Sequence, residues 1–220
     1  MSEVICYTVT DNTLKSVNGT LSNAVVETTD PTFGSVVHIN GANNSFVDFG
    51  TAIGQFRTQD FTVAFWFQTT EQHRYFDLAG NRTVGSHGNF LAIRMTGNHE
   101  SSPRGRVSVE VDQDGNGTNF IGVSSQVTGL NDGDWHHIAV VRRGNSLELY
   151  VDGVSSNRGS ANGVANIANG NAFKLGRSLV GHDAKFAPNA RFRALCVYDV
   201  ALTDRQVPGL VNLRNTHSSP

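Results

Sequence analysis

The chain has 220 residues, a formal net charge of −2 at pH 7 and only 16% charged residues. That length suits one all-β domain with a full hydrophobic core, here spanning residues 1–220. The weak, balanced charge excludes a broad basic field for nucleic acid, and no apolar run reaches membrane-spanning length, so no membrane insertion is expected.

Glycine (23 residues) far outnumbers proline (5), which implies many tight turns. The start, MSEVICYTVTD, lacks the basic and long apolar regions of a signal peptide. Three routes stay open: an intracellular protein, one already processed, or one exported by another path.

Taken in order, residues 4–10 alternate and read as a first or edge strand. Residues 12–21 read as a polar loop ending in Asn18-Gly19-Thr20. The pattern predicts strands over 36–40 and 45–49, split by Gly41-Ala42-Asn43-Asn44. Residues 61–68 are the most β-prone run. There Val63, Phe65 and Phe67 face one way, and Thr62, Ala64, Trp66 and Gln68 the other. Strands are expected over 75–78, 90–95, 106–111 and 120–125. Residues 136–142 and 146–152 form a hairpin around Gly144-Asn145, closed at its outer ends by Asp132-Gly133 and Asp152-Gly153. Strands over 172–175 and 191–198 follow. Thr203 with Gln206 matches a capping box, and Pro208 is expected to limit that helix to a turn or two.

Cys6 and Cys196 lie near opposite ends. They meet if the first and last strands are neighbours, but low cysteine use without a signal peptide favours two free thiols. Four Asn-X-Ser/Thr sequons begin at Asn18, Asn43, Asn81 and Asn116, and without a signal peptide they carry no weight. The tail 216–220 is expected to be disordered unless neighbours hold it.

A series of segments in fixed order carries a resemblance. It runs from Asn18-Gly19-Thr20-Leu21 through Phe33-Gly34, Val36-Val37-His38-Ile39-Asn40-Gly41, Ser45-Phe46-Val47-Asp48-Phe49 and Phe61-Thr62-Val63-Ala64-Phe65-Trp66. It continues with Asp134-Trp135-His136-His137-Ile138-Ala139-Val140-Val141, Leu149-Tyr150-Val151-Asp152-Gly153 and Phe173-Lys174-Leu175-Gly176-Arg177, and ends at Val197-Tyr198-Asp199-Val200-Ala201-Leu202-Thr203. The chain resembles the laminin-G-like, pentraxin-like branch of the concanavalin A-like lectin/glucanase superfamily. The resemblance implies an all-β, two-sheet antiparallel jelly-roll β-sandwich with one short C-terminal helical turn. It leaves function open, because that fold hosts lectins, adhesion modules and hydrolases.

Four constellations are candidates for chemistry. Trp135-His136-His137 offers a general base only if a nucleophile or carboxylate stands beside it; otherwise it is a packed strand. Asp112, Asp114 and Asn116, followed by Gly117, copy the ligand spacing that opens an EF-hand loop and suggest Ca2+. Val123 stands where the bidentate Glu belongs, so a plain hairpin turn competes. Glu110, Asp112 and Asp114 alternate on one strand, as a carboxylate ladder of the superfamily's β-glucanases does. Finally, Trp66, Arg94, Arg106, Glu110, Glu148 and Tyr150 lie on outward positions that can converge on a glycan groove. A solvated or interface face is the competing reading.

Relatives often hold a structural calcium with an acid just before the last long strand. Here Arg193 stands there, and a guanidinium is expected to neutralise nearby carboxylates instead. Such domains are usually modules of longer secreted proteins, whereas here one domain fills the chain from Met1. The expected function is therefore non-catalytic recognition of a glycan or a cell-surface or protein ligand. The alternative is a structural or decoration subunit of a phage or virus particle, with homo-oligomeric or particle neighbours and a place on a virion or other exported surface. A glycoside hydrolase is the third reading.

Overall fold

A computed structural model describes residues 4–212 apart from 11–12, 43, 74, 84–85, 99–101 and 178–186. Period-two alternation builds fifteen strands: β1 (Val4–Thr10), β2 (Thr13–Ser22), β3 (Val25–Asp30), β4 (Gly34–Asn40), β5 (Phe46–Asp48), β6 (Phe61–Thr69), β7 (Phe76–Gly80), β8 (Gly88–Thr96), β9 (Arg106–Asp114), β10 (Ile121–Ser124), β11 (Trp135–Arg143), β12 (Ser146–Val151), β13 (Val154–Ser160), β14 (Lys174–Leu175) and β15 (Asn189–Tyr198). One short helix, α1 (Val207–Val211), follows. Among the described residues no helix is long and apolar enough to cross a membrane.

The first sheet runs β2-β1-β15-β6-β11-β12-β13, with β4 and then β3 beside the first half of β15. The second runs β10-β9-β8-β7-β14-β5-β2. Strand β2 belongs to both: its earlier part pairs with β1 and Thr20–Ser22 pair with β5. All pairs are antiparallel except β1 with β15. The result is a jelly-roll β-sandwich. Its core meets in the middle: Val63, Phe65, Phe67, Ile138, Val140 and Leu149 from one sheet face Leu91, Ile93, Val107, Val109 and Val111 from the other. Each such buried side chain contributes about 1.5–3 kcal/mol.

The hairpin turns obey their residues. Gly144 takes φ +55° in the two-residue link between β11 and β12. Asp152 and Gly153 both take positive φ, +51° and +82°, between β12 and β13, the pattern of a type I′ turn.

Three expectations change. Residues 12–21 are not a loop: most of them form β2, and Val17 and Leu21 pack on the core. Gly19 serves close approach rather than a turn, since a Cβ there would lie 2.4 Å from Val47 Cγ1. Strands β3 and β13 were unforeseen because their polar sequences suit exposed sheet margins. Pro208 opens α1 rather than ending it, since its missing N–H costs nothing in the first turn. One arm of the capping box forms, with the Thr203 N–H donating to Gln206 Oε1 at 2.9 Å.

Strands β1 and β15 are neighbours, as a bridge would require, yet Cys196 is free and buried. Burial pushes its thiol up to about 11. The Cys6 side chain, the Asn43 sequon and the tail 216–220 lie outside the described residues.

Candidate functional site

The faces turned away from the core differ between the sheets. On the first sheet that face is covered. Trp66 is 1% exposed and lies under Phe33, with ring centroids 5.3 Å apart. Trp135 meets the same Phe33 edge-on at 4.7 Å, and His137 meets Trp66 at 5.2 Å. Arg193 fastens the lid by donating to the carbonyls of Phe33 and Ser35. Further along, Tyr150 is buried with Ala64, Ala139, Val141, Leu202, Val207 and Leu210, and its hydroxyl donates to Asp204 at 2.7 Å. Glu148 is buried and accepts from Ser155 and Arg158.

Trp66, Glu148 and Tyr150 therefore do not join the expected groove. Alternation correctly sets them opposite the core, but Phe33 closes over Trp66, the segment around α1 over Tyr150, and Ser155 and Arg158 engage Glu148. Trp135 and His137 are packing residues. His136 stands apart at the rim, with Nδ1 3.0 Å from Asp152 and Nε2 3.2 Å from Asp132.

The second sheet leaves its outer face open. Strands β8 and β9 send Leu91, Ile93, Val107 and Val109 inward, so Arg94, Arg106, Ser108 and Glu110 point outward. They line a groove of about 420 Å³ with Tyr75, Ser124 and Phe120, the last 38% exposed. Three of the six expected residues, Arg94, Arg106 and Glu110, thus converge.

An ion ladder stiffens the groove floor. Arg94 Nε lies 3.2 Å from Asp77 and Nη1 3.7 Å from Glu110, which also pairs with Arg82. Arg82 stacks over Phe90 at 4.4 Å and Arg94 over Tyr75 at 5.4 Å. Burial lowers the Arg82 pKa from its ordinary value, opposed by Glu110. Arg82, Asp77 and Tyr75 were not foreseen. They sit at strand ends and in loops, where alternation gives no face.

The carboxylates of β9 are each committed. Asp112 is 0% exposed; it holds His87 Nδ1 at 2.7 Å and accepts from the N–H groups of Gly88 and Gln113. Asp114 caps the turn that follows. It accepts from Thr118 Oγ1 and from the N–H groups of Asn116, Thr118 and Asn119, which hold its pKa well below the usual carboxylate range. Among the described residues no three metal-ligating side chains gather anywhere. Asp112, Asp114 and Asn116 thus do not fit calcium: the first is spent on His87 and the second on the turn. The expected ladder of free acids fails for the same reason.

Two facing antiparallel sheets, a jelly-roll strand order and an open outer face define a concanavalin A-like sandwich. The chain belongs to the laminin G 3 family of the concanavalin A-like lectin/glucanase superfamily, which matches residues 40–208. It is similar to the cadherin-related protein hmr-1 of Caenorhabditis elegans, 32% identical over 96 residues, covering 41% of this chain and 3% of that protein. Its fold is similar to the binding domain of Paraclostridial Mosquitocidal Protein 1, with TM-score 0.69 at 19% identity over 96% of this chain and 52% of that one. It is also similar to the binding domain of Botulinum Neurotoxin DC in complex with SialylT, with TM-score 0.66 at 11% identity over 98% and 52%. The chain spans about half the length of those two binding domains.

Proposed function

We propose that the chain is a non-catalytic, lectin-like binding domain that takes a glycan in the outer groove of the second sheet. One observation carries this reading: a single groove sets the rings of Tyr75 and Phe120 beside Arg94, Glu110 and a row of hydroxyls. A sugar needs an aromatic surface for its apolar face and fixed polar groups for its hydroxyls. The toxin domains of similar fold lend support, since one is described in complex with SialylT and another with rat synaptotagmin II.

Catalysis has less behind it. Glycoside hydrolysis needs two carboxyl groups facing one bond, whereas Glu110 is ion-paired, Asp112 is buried and Asp114 caps a turn. The test is a broad glycan array with purified protein, with calcium and with chelator. Binding that Phe120→Ala or Tyr75→Ala abolishes, and that chelator spares, supports the reading. A folded protein that binds no glycan sinks it.

A further inference from the structure

We infer that the groove contains an oxyanion subsite centred on Arg106, so that the glycan it takes carries a carboxylate or sulfate group. This rests on the groove being a glycan site. Arg106 opens β9, opposite Thr96 of β8. Its Nε donates to the Ser125 carbonyl at 2.9 Å, which fixes the plane of the guanidinium and leaves the Nη groups for another acceptor.

Charge separates Arg106 from the other two arginines of this face. Arg82 and Arg94 share Asp77 and Glu110. Among the described residues no carboxylate pairs with Arg106, so the groove keeps one net positive charge. A guanidinium presents a planar fork that suits two oxygens of one carboxylate or sulfate.

Hydroxyls supply the second half of the site. Ser108 Oγ and Ser124 Oγ, on adjacent strands, lie 2.8 Å apart. One donates to the other, and the acceptor of that bond still has its own proton to give. Ser102 lines the same groove. A forked cation beside a spare hydroxyl proton is a positively charged set of donors, and an oxyanion both accepts those bonds and brings the opposite charge. Phe120 and Tyr75 are left to carry the sugar ring.

Calorimetric titration of matched oligosaccharides tests this. One pair is a sulfated chain and its desulfated form; the other is an oligouronate and its methyl ester. At least one charged member is expected to bind roughly tenfold or more tightly than its neutral partner. Arg106→Gln should erase that ratio by weakening the charged member far more than the neutral one, and Arg106→Lys should restore part of it. Ser124→Ala leaves the guanidinium and its bond to Ser125 in place. It should weaken the charged member more than the neutral one, and the unfolding midpoint of each variant confirms that it is folded. Equal binding of both members of each pair overturns the subsite but leaves the groove standing. Inorganic sulfate binding as tightly as the sulfated chain overturns the sugar-borne anion. No binding by either member, with a silent array, overturns groove and subsite together.

Discussion

The Arg142 guanidinium donates from Nη2 to Oε1 of Gln113 at 3.1 Å, tying β11 of one sheet to β9 of the other. Arg142 is 3% exposed and also donates to the carbonyls of Arg57, Gly144 and Ala165. Gln113 completes the knot: its oxygen accepts from the Ala165 N–H and its amide donates to the carbonyls of Asn119 and Gly163. The stretch 163–165 is thereby held against the end of the sandwich.

Arg142→Met should cost about 2–4 kcal/mol, because it leaves Gln113 and buried carbonyls unsatisfied. Urea denaturation measures this. A double variant with Gln113→Leu should cost less than the sum of the two single changes, since the partners fail together.

Trp66→Ala should destabilise by about 3–5 kcal/mol by opening a cavity beneath Phe33. Its glycan affinity, measured on the folded fraction, should match the wild type. A selective loss of binding without a loss of stability would return Trp66 to the binding face.

Ala194 takes φ +52° where β15 passes from pairing with β4 to pairing with β1. A residue with a Cβ is strained there. Ala194→Gly should therefore raise stability by up to about 1 kcal/mol, while Ala194→Val should lower it by about 1 kcal/mol or more. The midpoints of chemical denaturation decide both.

His136 sits between Asp152 and Asp132, and the bond to Asp152 raises its pKa above the ordinary 6.5. Its stabilising contribution is full below 6.5 and is lost as pH rises through the raised folded value. Asp152 and Asp132 run the other way. Burial, the largest single influence, raises each, but the bond and charge of His136 together with the His137 N–H outweigh it at Asp152, and the Asp134 N–H with His136 does so at Asp132, so both end below 3.8. Their contribution is full above 3.8 and is lost as pH falls through the lowered values. Melting curves from about pH 5 to about pH 8 should show His136→Gln losing most stability at the acid end and converging on the wild type at the alkaline end. A constant gap across that range would sink the claim.

Strands with one or both sides buried were legible in the sequence. β6 and β11 announce themselves through Phe61–Thr69 and Trp135–Arg143, where apolar and β-branched residues dominate. β13 did not, although Asp152-Gly153 marks its turn, because Val154–Ser160 is mostly polar and gains its order from β12. Site residues followed the same division. Alternation along β8 and β9 located Arg94, Arg106 and Glu110. It could not reveal that Phe33, far away in sequence, covers Trp66, or that Asp204 binds Tyr150. Those are long-range packing events. His87 escaped notice because only the fold brings it to Asp112, which was itself assigned to a metal or catalytic set.

The seat of β15 between β1 and β6 sets an order of events for the nascent chain. β1 and β6 leave the ribosome well before the strand that joins them, which lies at Asn189–Tyr198. Until then the β1–β2 hairpin and the β6–β11–β12 ribbon each present a bare edge to the cytosol or translocon. Such late, sequence-distant pairing folds slowly and exposes sticky strands meanwhile. The sandwich is therefore completed only once β15 has been made, and until then its solubility rests on how well those two waiting edges are shielded.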